Sequence, residues 1–334
     1  MSGWAIEWSH GRGSVQALGG MLGPVWFRIP DDRLVQPFAV FPWAIEKTPP
    51  GESPLTGLMA SGCGEWPCVP FGIGAAPADS EWCPPIHGEP AHHAWTRVDD
   101  GRDSSRVVLA FRCGAEGPIE SLERQIVGVP GEAAIHCKLV VHVRRPCSLP
   151  IGIHPTLRVP TRPQALSLLP EHFEFAITYP QEVEPGADAL ASGAIFSDLS
   201  NAPARHGGTI DLTAFPLLKT TESLVQLCGT DGRVGVVNHE EGYHLNITWS
   251  SAQLPSCVLW VSNGGRRTWP WNGRHFALGV EPVCAAFDLG VTASNGRNPI
   301  SDRGVPTAMK LRPDVPTTIE YRVSVAGIAM PAIN

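Results

Sequence analysis

The clearest pattern in the chain is an alternation of apolar and polar residues between positions 119 and 144. An apolar-rich run from 119 to 129 is followed by Pro130-Gly131, a dipeptide that favours a turn. The next residues place apolar side chains at every second position, namely Ile135, Cys137, Leu139, Val141 and Val143. A period of two is typical of a strand with one buried face. The sequence therefore predicts a β-hairpin, with His136 and His142 on its solvated face.

Further short segments have the composition of strands and are separated by turns rich in Gly, Pro, Asn and Asp. They cover residues 105–112, 233–238, 244–249, 257–262, 276–280 and 317–326. Residues 40–90 lack this regularity, and a loop of that length is typical of a binding element or an interface cover. Residues 160–210 are also less regular, but the strand pattern resumes after them. We therefore predict an all-β protein, a large β-sandwich that forms a single domain over residues 1–334.

Composition supports this fold class and narrows the function. The 334 residues include 35 Gly and 33 Pro, with 43% hydrophobic and 17% charged residues. Disordered chains combine low hydrophobicity with high charge, and helical bundles need long stretches without Gly and Pro, so both classes are disfavoured. The net charge of −7 and the lack of a basic run argue against nucleic acid as a partner.

Several features of the sequence bear on location. The N-terminal residues contain no basic segment followed by an apolar one, which argues against a signal peptide. No run of about 18 apolar residues is present, so we expect no membrane segment. The nine cysteines are an odd number without CxxC spacing, which favours reduced thiols. Together these features predict a cytoplasmic protein.

Two patterns resemble ligand-binding motifs but fail on spacing. Gly11-Arg12-Gly13 begins a G-x-G-x-x-G pattern that the glutamine at position 16 breaks. A cysteine and three histidines lie close together in sequence, at Cys83, His87, His92 and His93, but their spacing matches no structural zinc site. We therefore predict neither a metal nor a bound cofactor.

Three titratable residues stand among apolar residues, glycine and proline: His87, His154 and Glu281. His154 and Glu281 each precede a proline, which favours extended backbone. Glu281 ends the apolar run 276–280, and a carboxylate in a buried strand is costly without a polar partner or a catalytic task. For each residue taken alone, a structural ion pair is the expected explanation. Together they supply acid and base groups for proton transfer near neutral pH.

At these residues the chain resembles the galactose mutarotase-like (aldose 1-epimerase) superfamily. The resemblance rests on the order and spacing of three segments, which are the His87-Gly88 loop with Trp95 after it, Ile153-His154-Pro155 and Val280-Glu281-Pro282. Residues 17–23 are similar to the opening hairpin of that family. The resemblance covers nearly the whole chain and implies a single-domain β-sandwich, or supersandwich, with a curved sugar-binding sheet.

The resemblance also implies an activity, the interconversion of sugar anomers by acid–base ring opening without a metal or redox cofactor. Glu281 then corresponds to the general base, His154 to the general acid, and His87 to a second histidine that helps hold the ring. The residues after the acid depart from the family's His-x-Tyr-Phe pattern and read His154-Pro155-Thr156-Leu157. The family's sugar-binding aspartate has no clear match, and the candidates are Asp198, Asp211 and Asp231.

Aromatic and polar residues near these segments are candidates for binding the sugar. The apolar faces of sugar rings pack on indoles, and candidate tryptophans lie in or near the predicted loops and strands, at Trp66, Trp95 and Trp260. Residues 258–263 occupy the place of a Tyr-Thr-x-Asn-like segment of the family, which adds Asn263. Arg267 belongs to the arginine-rich segment 266–274, and a guanidinium pairs well with an anionic sugar.

The sequence leaves three functions open. The first is an aldose 1-epimerase-like mutarotase that acts on an unidentified aldose or modified sugar. The altered acid motif keeps open a non-catalytic carbohydrate-binding or sensor protein on the same fold. The arginines keep open a hexose-phosphate 1-epimerase. In each case the expected partner is a small-molecule sugar, with no nucleic acid and no membrane, and the oligomeric state is not predicted.

Overall fold

The computed structural model describes residues 2–74 and 82–328. Short strands joined by turns make up most of this part of the chain. In chain order they are β1 Gly3–Trp8, β2 Gly11–Gln16, β3 Leu22–Arg28, β4 Leu34–Val35, β5 Pro67–Cys68, β6 Thr96–Arg97, β7 Arg106–Arg112, β8 Ile119–Gly128, β9 Ala134–Val143, β10 Cys147–Leu149, β11 Ile151–Ile153, β12 Thr156–Arg158, β13 Leu166–Pro170, β14 Phe175–Thr178, β15 Ile195–Phe196, β16 Ala202–Pro203, β17 Thr209–Ile210, β18 Ala214–Phe215, β19 Thr221–Cys228, β20 Arg233–Asn238, β21 Tyr243–Trp249, β22 Ser256–Asn263, β23 Phe276–Cys284, β24 Met309–Leu311 and β25 Thr317–Gly327.

Helices are few and short in the same part of the chain. The α-helices are α1 Gly57–Ser61 and α2 Gly290–Asn295. Single 3₁₀ turns lie at Pro30–Asp32, Glu89–Ala91, Leu199–Asn201 and Ser301–Arg303. Neither described α-helix has the length and apolar composition needed to cross a bilayer.

Two large antiparallel sheets dominate the fold. The nine-stranded sheet has the order β18-β13-β20-β21-β25-β9-β8-β7-β6. The eight-stranded sheet has the order β15-β14-β19-β22-β23-β11-β5, and β12 also pairs with β23. The N-terminal strands form a separate sheet, β1-β2-β3-β4. This arrangement confirms the predicted all-β sandwich class.

The two large sheets differ in how their strands are buried. In β9 and β21 of the nine-stranded sheet, buried and partly exposed residues alternate, so one face packs inward and the other meets solvent. In β19 and β22 of the eight-stranded sheet every residue is buried. One face of this sheet packs into the core shared with the other sheets, and its opposite face carries a second apolar cluster. Polar side chains on that second face are therefore placed in a dry environment.

Several sequence predictions can be checked directly against these elements. The predicted hairpin is confirmed as β8 and β9, with His136 and His142 partly exposed on the outer face. The prediction that a strand ends at Glu281 is wrong. Strand β23 continues to Cys284 because it pairs with β22 on one side and with β11 and β12 on the other. The predicted loop 40–90 contains α1 and β5, and its residues 75–81 lie outside the described residues.

Candidate active site

The register of three strands builds the floor of a cavity on the second face of the eight-stranded sheet. Trp260 of β22 pairs with Leu224 of β19 and with Gly279 of β23. Val258, two residues before Trp260, pairs with Glu281 of β23. Because side chains alternate between faces along a strand, these residues share one face of the sheet. The Glu281 carboxylate and the Trp260 indole therefore lie on the same face of the sheet.

Residues of α1 and of several loops complete the walls of this cavity. It encloses about 630 Å³ when the open space at its mouth is included. Its lining is mainly apolar and aromatic, with a few ionisable groups. The lining residues are Phe41, Leu58, Met59, Trp66, Ile86, His87, His154, Val183, Leu224, Val258, Trp260, Arg266, Trp271, Glu281 and Asp288.

His154 and Glu281 meet on the wall of the cavity. His154 lies in the gap between β11 and β12, where its backbone N–H donates to the Trp66 carbonyl at 2.9 Å. The Trp66 indole stacks on the imidazole at 4.2 Å between ring centroids. His154 Nε2 lies 3.3 Å from Glu281 Oε1, with the two side chains 7% and 3% exposed. The other ring nitrogen, Nδ1, is 3.1 Å from Thr156 Oγ1, which fixes the orientation of the ring.

Burial acts on both members of this pair. It raises the pKa of Glu281 well above the usual range for a glutamate, and the nearby Asp288 adds to the effect. It lowers the pKa of His154 well below the usual range for a histidine, and His87 adds to that effect. Both shifts disfavour the charged forms of the two side chains. Glu281 Oε1 makes no hydrogen bond to another described residue, which leaves it available to a ligand.

His87 adds a neutral imidazole to the same wall. Its backbone adopts a left-handed conformation with φ of 60°, and its ring lies 5.1 Å from that of His154. The Gly72 N–H donates to His87 Nδ1 at 3.4 Å. Burial lowers the pKa of His87 to about 3, so the ring is neutral. Since Nδ1 accepts a hydrogen bond, the proton of the neutral ring sits on Nε2, where it can be donated to a ligand.

A second polar group in and behind the cavity was not predicted from the sequence. It consists of Arg266, Asp288 and Glu222. Glu222 lies in the fully buried strand β19, and a glutamate within such a strand is a signal that sequence analysis can detect. Asp288 follows β23 in a loop, where no local pattern distinguishes it from other aspartates. Arg266 directly precedes Arg267, the arginine that was predicted to bind the sugar. Only the structure shows that Arg266 lines the cavity and that Arg267 does not.

Three of the predicted sugar-binding residues do not line the cavity. Trp95 is buried in the main core, and its Nε1 donates to the Pro90 carbonyl at 2.9 Å. Asn263 Nδ2 donates to the carbonyls of Leu217 and Lys219 at 3.0 and 2.9 Å, so its side chain holds a loop in place. Arg267 is exposed and lines a separate groove. Trp66 and Trp260 do line the cavity.

The three candidate aspartates also lie elsewhere. Asp198 and Asp211 accept hydrogen bonds from backbone N–H groups two residues ahead, as turn-stabilising residues do. Asp231 is exposed. None of them lines the cavity, where the aspartate is Asp288. Among the described residues no cluster of His, Cys, Asp and Glu is arranged to hold a metal ion.

Gly279 leaves the space that the Glu281 carboxylate occupies. A Cβ at this position would press on Glu281 Oε1 and would come within 2.8 Å of Trp260 Cβ. We expect Gly279→Ala to displace the carboxylate and to lower the rate of any reaction that depends on it by up to about 100-fold, the effect of a small misplacement of a reacting group. Turnover and thermal unfolding of the variant provide the measurement.

The matched control is Gly114→Ala, because the Cβ there would find its nearest neighbour at 3.5 Å, an ordinary contact. This variant is expected to retain wild-type turnover. If Gly279→Ala is folded and as active as the control, the carboxylate position does not limit the reaction.

Solved structures with the same fold have been described as mutarotase-like or epimerase-like proteins. A galactose mutarotase-like protein from Lactobacillus casei is 15% identical, with a TM-score of 0.62, and the match covers 97% of this chain and 100% of that one. The GalM/aldose epimerase homologue from C. elegans is 14% identical, with a TM-score of 0.63 and coverage of 98% and 99%. A galactose mutarotase related enzyme from Lactobacillus acidophilus is 10% identical, with a TM-score of 0.63 and coverage of 99% and 100%.

These similarities extend over nearly the full length of each chain and define the class of fold. The protein has the galactose mutarotase-like fold, as the resemblance predicted. No protein-family model matches the chain, and no curated protein matches its sequence. At identities of 10–15%, a shared fold does not specify an activity or a substrate.

Proposed function

We propose that the protein is an aldose 1-epimerase-like mutarotase that interconverts the α and β anomers of a sugar. The observation that carries this proposal is the contact of 3.3 Å between His154 Nε2 and Glu281 Oε1 on the wall of an aromatic cavity. In this proposal the two side chains serve as the proton donor and the proton acceptor for one sugar ring that reaches both. The shared fold supports the same function.

The proposed reaction needs one proton, which is held by either His154 or Glu281. Hydroxyl groups of a bound sugar that donate to Glu281 favour its carboxylate form, and the shared proton then resides on His154. The carboxylate removes the proton from the anomeric hydroxyl while the imidazolium protonates the ring oxygen, and the C1–ring-oxygen bond breaks. The open-chain carbonyl rotates, and the reverse steps close the other anomer. The pair ends with the same proton it started with.

His87 and the tryptophans are assigned supporting functions in this proposal. The Nε2–H of neutral His87 donates to an oxygen of the sugar and holds the ring near His154. The indoles of Trp66 and Trp260 provide apolar surfaces for the C–H faces of the ring. No residue in this scheme requires a metal or a redox cofactor, because proton transfer alone opens and closes a hemiacetal.

Exchange NMR between the two anomers tests the proposal directly. With the wild-type protein and a panel of aldoses, at least one sugar is expected to exchange faster than in buffer alone. Absence of acceleration for every sugar that binds the protein would rule out the mutarotase function.

The pH profile of the exchange rate gives a second test. Activity requires the pair to hold one proton. A second proton binds only below the lowered pKa of His154, and the shared proton leaves only above the raised pKa of Glu281. The protein-dependent rate is therefore expected to fall at low pH, where His154 takes up a second proton, and at high pH, where Glu281 loses the shared one. A rate that rises steadily as the pH is lowered would contradict the proposed pair.

Non-catalytic sugar binding is the second candidate function. The observation that favours it is the low exposure of both side chains, since a buried pair of this kind can also be structural. This function predicts that sugars bind with unchanged anomer exchange. The same NMR samples therefore distinguish the two candidates.

A further inference from the structure

The indole of Trp260 on the floor of the cavity is hydrogen-bonded to a carboxyl group that does not itself line the cavity. Trp260 Nε1 donates to Glu222 Oε1 at 2.6 Å. Glu222 is fully buried in β19 and pairs across the sheet with Ser262, two residues beyond Trp260 in β22. Because side chains alternate between faces along a strand, Glu222, Trp260 and Ser262 project from the same face of the sheet. Glu222 therefore meets the cavity through side chains that line it.

Donors surround both oxygens of the Glu222 carboxyl group. Oε2 accepts a hydrogen bond from Ser262 Oγ at 3.0 Å, and Oε1 lies 3.4 Å from Arg266 Nε in addition to its bond from Trp260. Burial raises the pKa of Glu222, and Arg266 and the two hydrogen-bond donors oppose that effect. His275 Nδ1 lies 2.8 Å from Ser262 Oγ, and since this hydroxyl gives its one proton to Glu222, the imidazole donates to it. These contacts fix the carboxyl group in one position beside the indole.

The Trp260 indole packs in turn against the imidazole of His154. The two rings meet edge to face, with their centroids 5.8 Å apart and an angle of 79° between their planes. The ring of His275 stacks on the same indole at 5.3 Å between centroids, and the Trp66 indole stacks on His154 at 4.2 Å. In a close-packed group of rings a shift of one ring displaces its neighbours, so the position of Trp260 affects that of His154.

We propose that Glu222 is a positioning residue, which holds the Trp260 indole through its Nε1–H and thereby sets the orientation of the His154 imidazole. Glu222 does not face the cavity, so its effect on the reaction passes through these two rings. The inference rests on the proposed function in taking His154 as the group that protonates the sugar. Its structural part, the coupling of Glu222 to His154, can be measured with or without turnover.

NMR of the His154 ring measures this coupling directly, because the indoles of Trp66 and Trp260 shift its resonances by their ring currents. His154→Gln assigns these resonances by their absence. In Glu222→Gln the amide has a single acceptor oxygen for the donors on Trp260 and Ser262, so the bond to the indole is either lost or no longer assisted by charge. We expect the His154 ring resonances and the Trp260 Nε1–H resonance to move. Unchanged His154 resonances would overturn the proposal.

A second variant repeats this measurement with the negative charge retained. In Glu222→Asp the shorter side chain withdraws the carboxylate from the indole, so the same resonances are expected to move, also in the case that Glu222→Gln does not fold. Glu320→Gln is the control, because Glu320 lies on the outer face of the other large sheet, beside His136. It should leave the His154 resonances in place, and equal shifts in the control would refute the assignment to Glu222.

The rate of anomer exchange at saturating sugar tests the consequence for the reaction. Glu222→Gln is expected to lower this rate about tenfold, within the loss of up to about 100-fold that a small misplacement of a reacting group causes. In a Trp260→Phe background the same change should cost little further, because the two residues act through one hydrogen bond. It should keep its full effect in a Trp249→Phe background, which removes an indole N–H that donates to the Leu254 carbonyl at 2.8 Å in the main core. Equal losses in both backgrounds would show that Glu222 acts through other contacts and would overturn the proposal.

These outcomes are separable from that of the proposed function. If no sugar exchanges faster with the wild-type protein, the mutarotase function fails, and the His154 resonances alone decide whether Glu222 orients this ring. If exchange is fast and Glu222→Gln moves the His154 ring without lowering the rate, the mutarotase function stands and the positioning role of Glu222 is overturned.

Discussion

Replacement of Glu281 by glutamine is expected to abolish the acceleration of anomer exchange. Glutamine keeps the shape of the side chain but cannot take up a proton from the anomeric hydroxyl. Removal of a general acid or base costs about 10²- to 10⁴-fold in rate, which would bring exchange close to the level in buffer. The variant should fold normally, since the site already disfavours a charged carboxylate and an uncharged amide is no more costly to bury.

The structure offers a matched control for this variant. Glu320 lies 3.7 Å from His136 on the solvated face of the nine-stranded sheet, so Glu320→Gln removes the same group from a glutamate–histidine pair outside the cavity. That variant is expected to exchange anomers at the wild-type rate. Full activity in Glu281→Gln would show that this carboxylate is not the base, whatever the function of the cavity. Sugar binding retained by an inactive Glu281→Gln would separate a chemical from a binding defect.

The largest expected effect on stability comes from Arg124→Met. Arg124 and Glu65 are 1% and 0% exposed and form an ion pair between β8 and the segment before β5. Arg124 also donates to the Gly20 carbonyl at 2.6 Å and to the Tyr321 hydroxyl at 3.1 Å, and that hydroxyl donates to Glu65 at 2.6 Å. Removing the guanidinium leaves a carboxylate buried without its partner, which costs about 3–5 kcal/mol.

Such a loss is a large part of the total stability of a typical protein, about 5–15 kcal/mol. Chemical denaturation of the variant gives the free energy of unfolding. Arg312→Met is the control, because the pair of Arg312 and Asp314 is 65% and 67% exposed and an exposed pair contributes at most about 1 kcal/mol. A loss in Arg124→Met no larger than in the control would show that the buried pair does not stabilise the fold.

A double variant measures the contribution of the Arg124–Glu65 interaction apart from the contributions of each side chain's other contacts. Arg124→Met combined with Glu65→Leu leaves no unpaired charge, so its loss should be smaller than the sum of the two single losses. Additive losses would contradict coupling between the two side chains.

This ion pair also bears on the candidate site through the residues beside Glu65. The carbonyls of Gly64 and Trp66 accept hydrogen bonds from the backbone of Thr156 and His154 at 2.8 and 2.9 Å. Glu65 therefore anchors the segment along which His154 is held. The Trp66 ring then stacks directly on the imidazole.

The strands and the three titratable residues could be predicted from the sequence because the signals for them lie within short segments of the chain. An alternating pattern reports one buried face, and the hairpin of β8 and β9 was predicted from it within a few residues. His87, His154 and Glu281 were identified because titratable groups are unusual in apolar, Gly- and Pro-rich segments. The structure places all three on one cavity, which the sequence could not show.

The predictions that missed the cavity depended on which way a side chain points. Asn263 and Trp260 belong to the same strand, yet Trp260 faces the cavity and Asn263 binds the backbone of a loop. Arg266 and Arg267 are adjacent, and only Arg266 enters the cavity. A shift of one residue reverses the face of a side chain in extended backbone, so composition alone cannot decide between neighbours.

The sequence by itself determined the class of fold and the chemistry available to it. Alternation and frequent turns encode a β-sandwich, because both depend on residues close together in the chain. Only the tertiary structure decided which groups meet. Arg266 comes from a loop after β22 and Asp288 from a loop after β23, and both line the cavity that His154 and Glu281 also line. That convergence depends on pairing between distant segments, for which a single sequence carries no local signal.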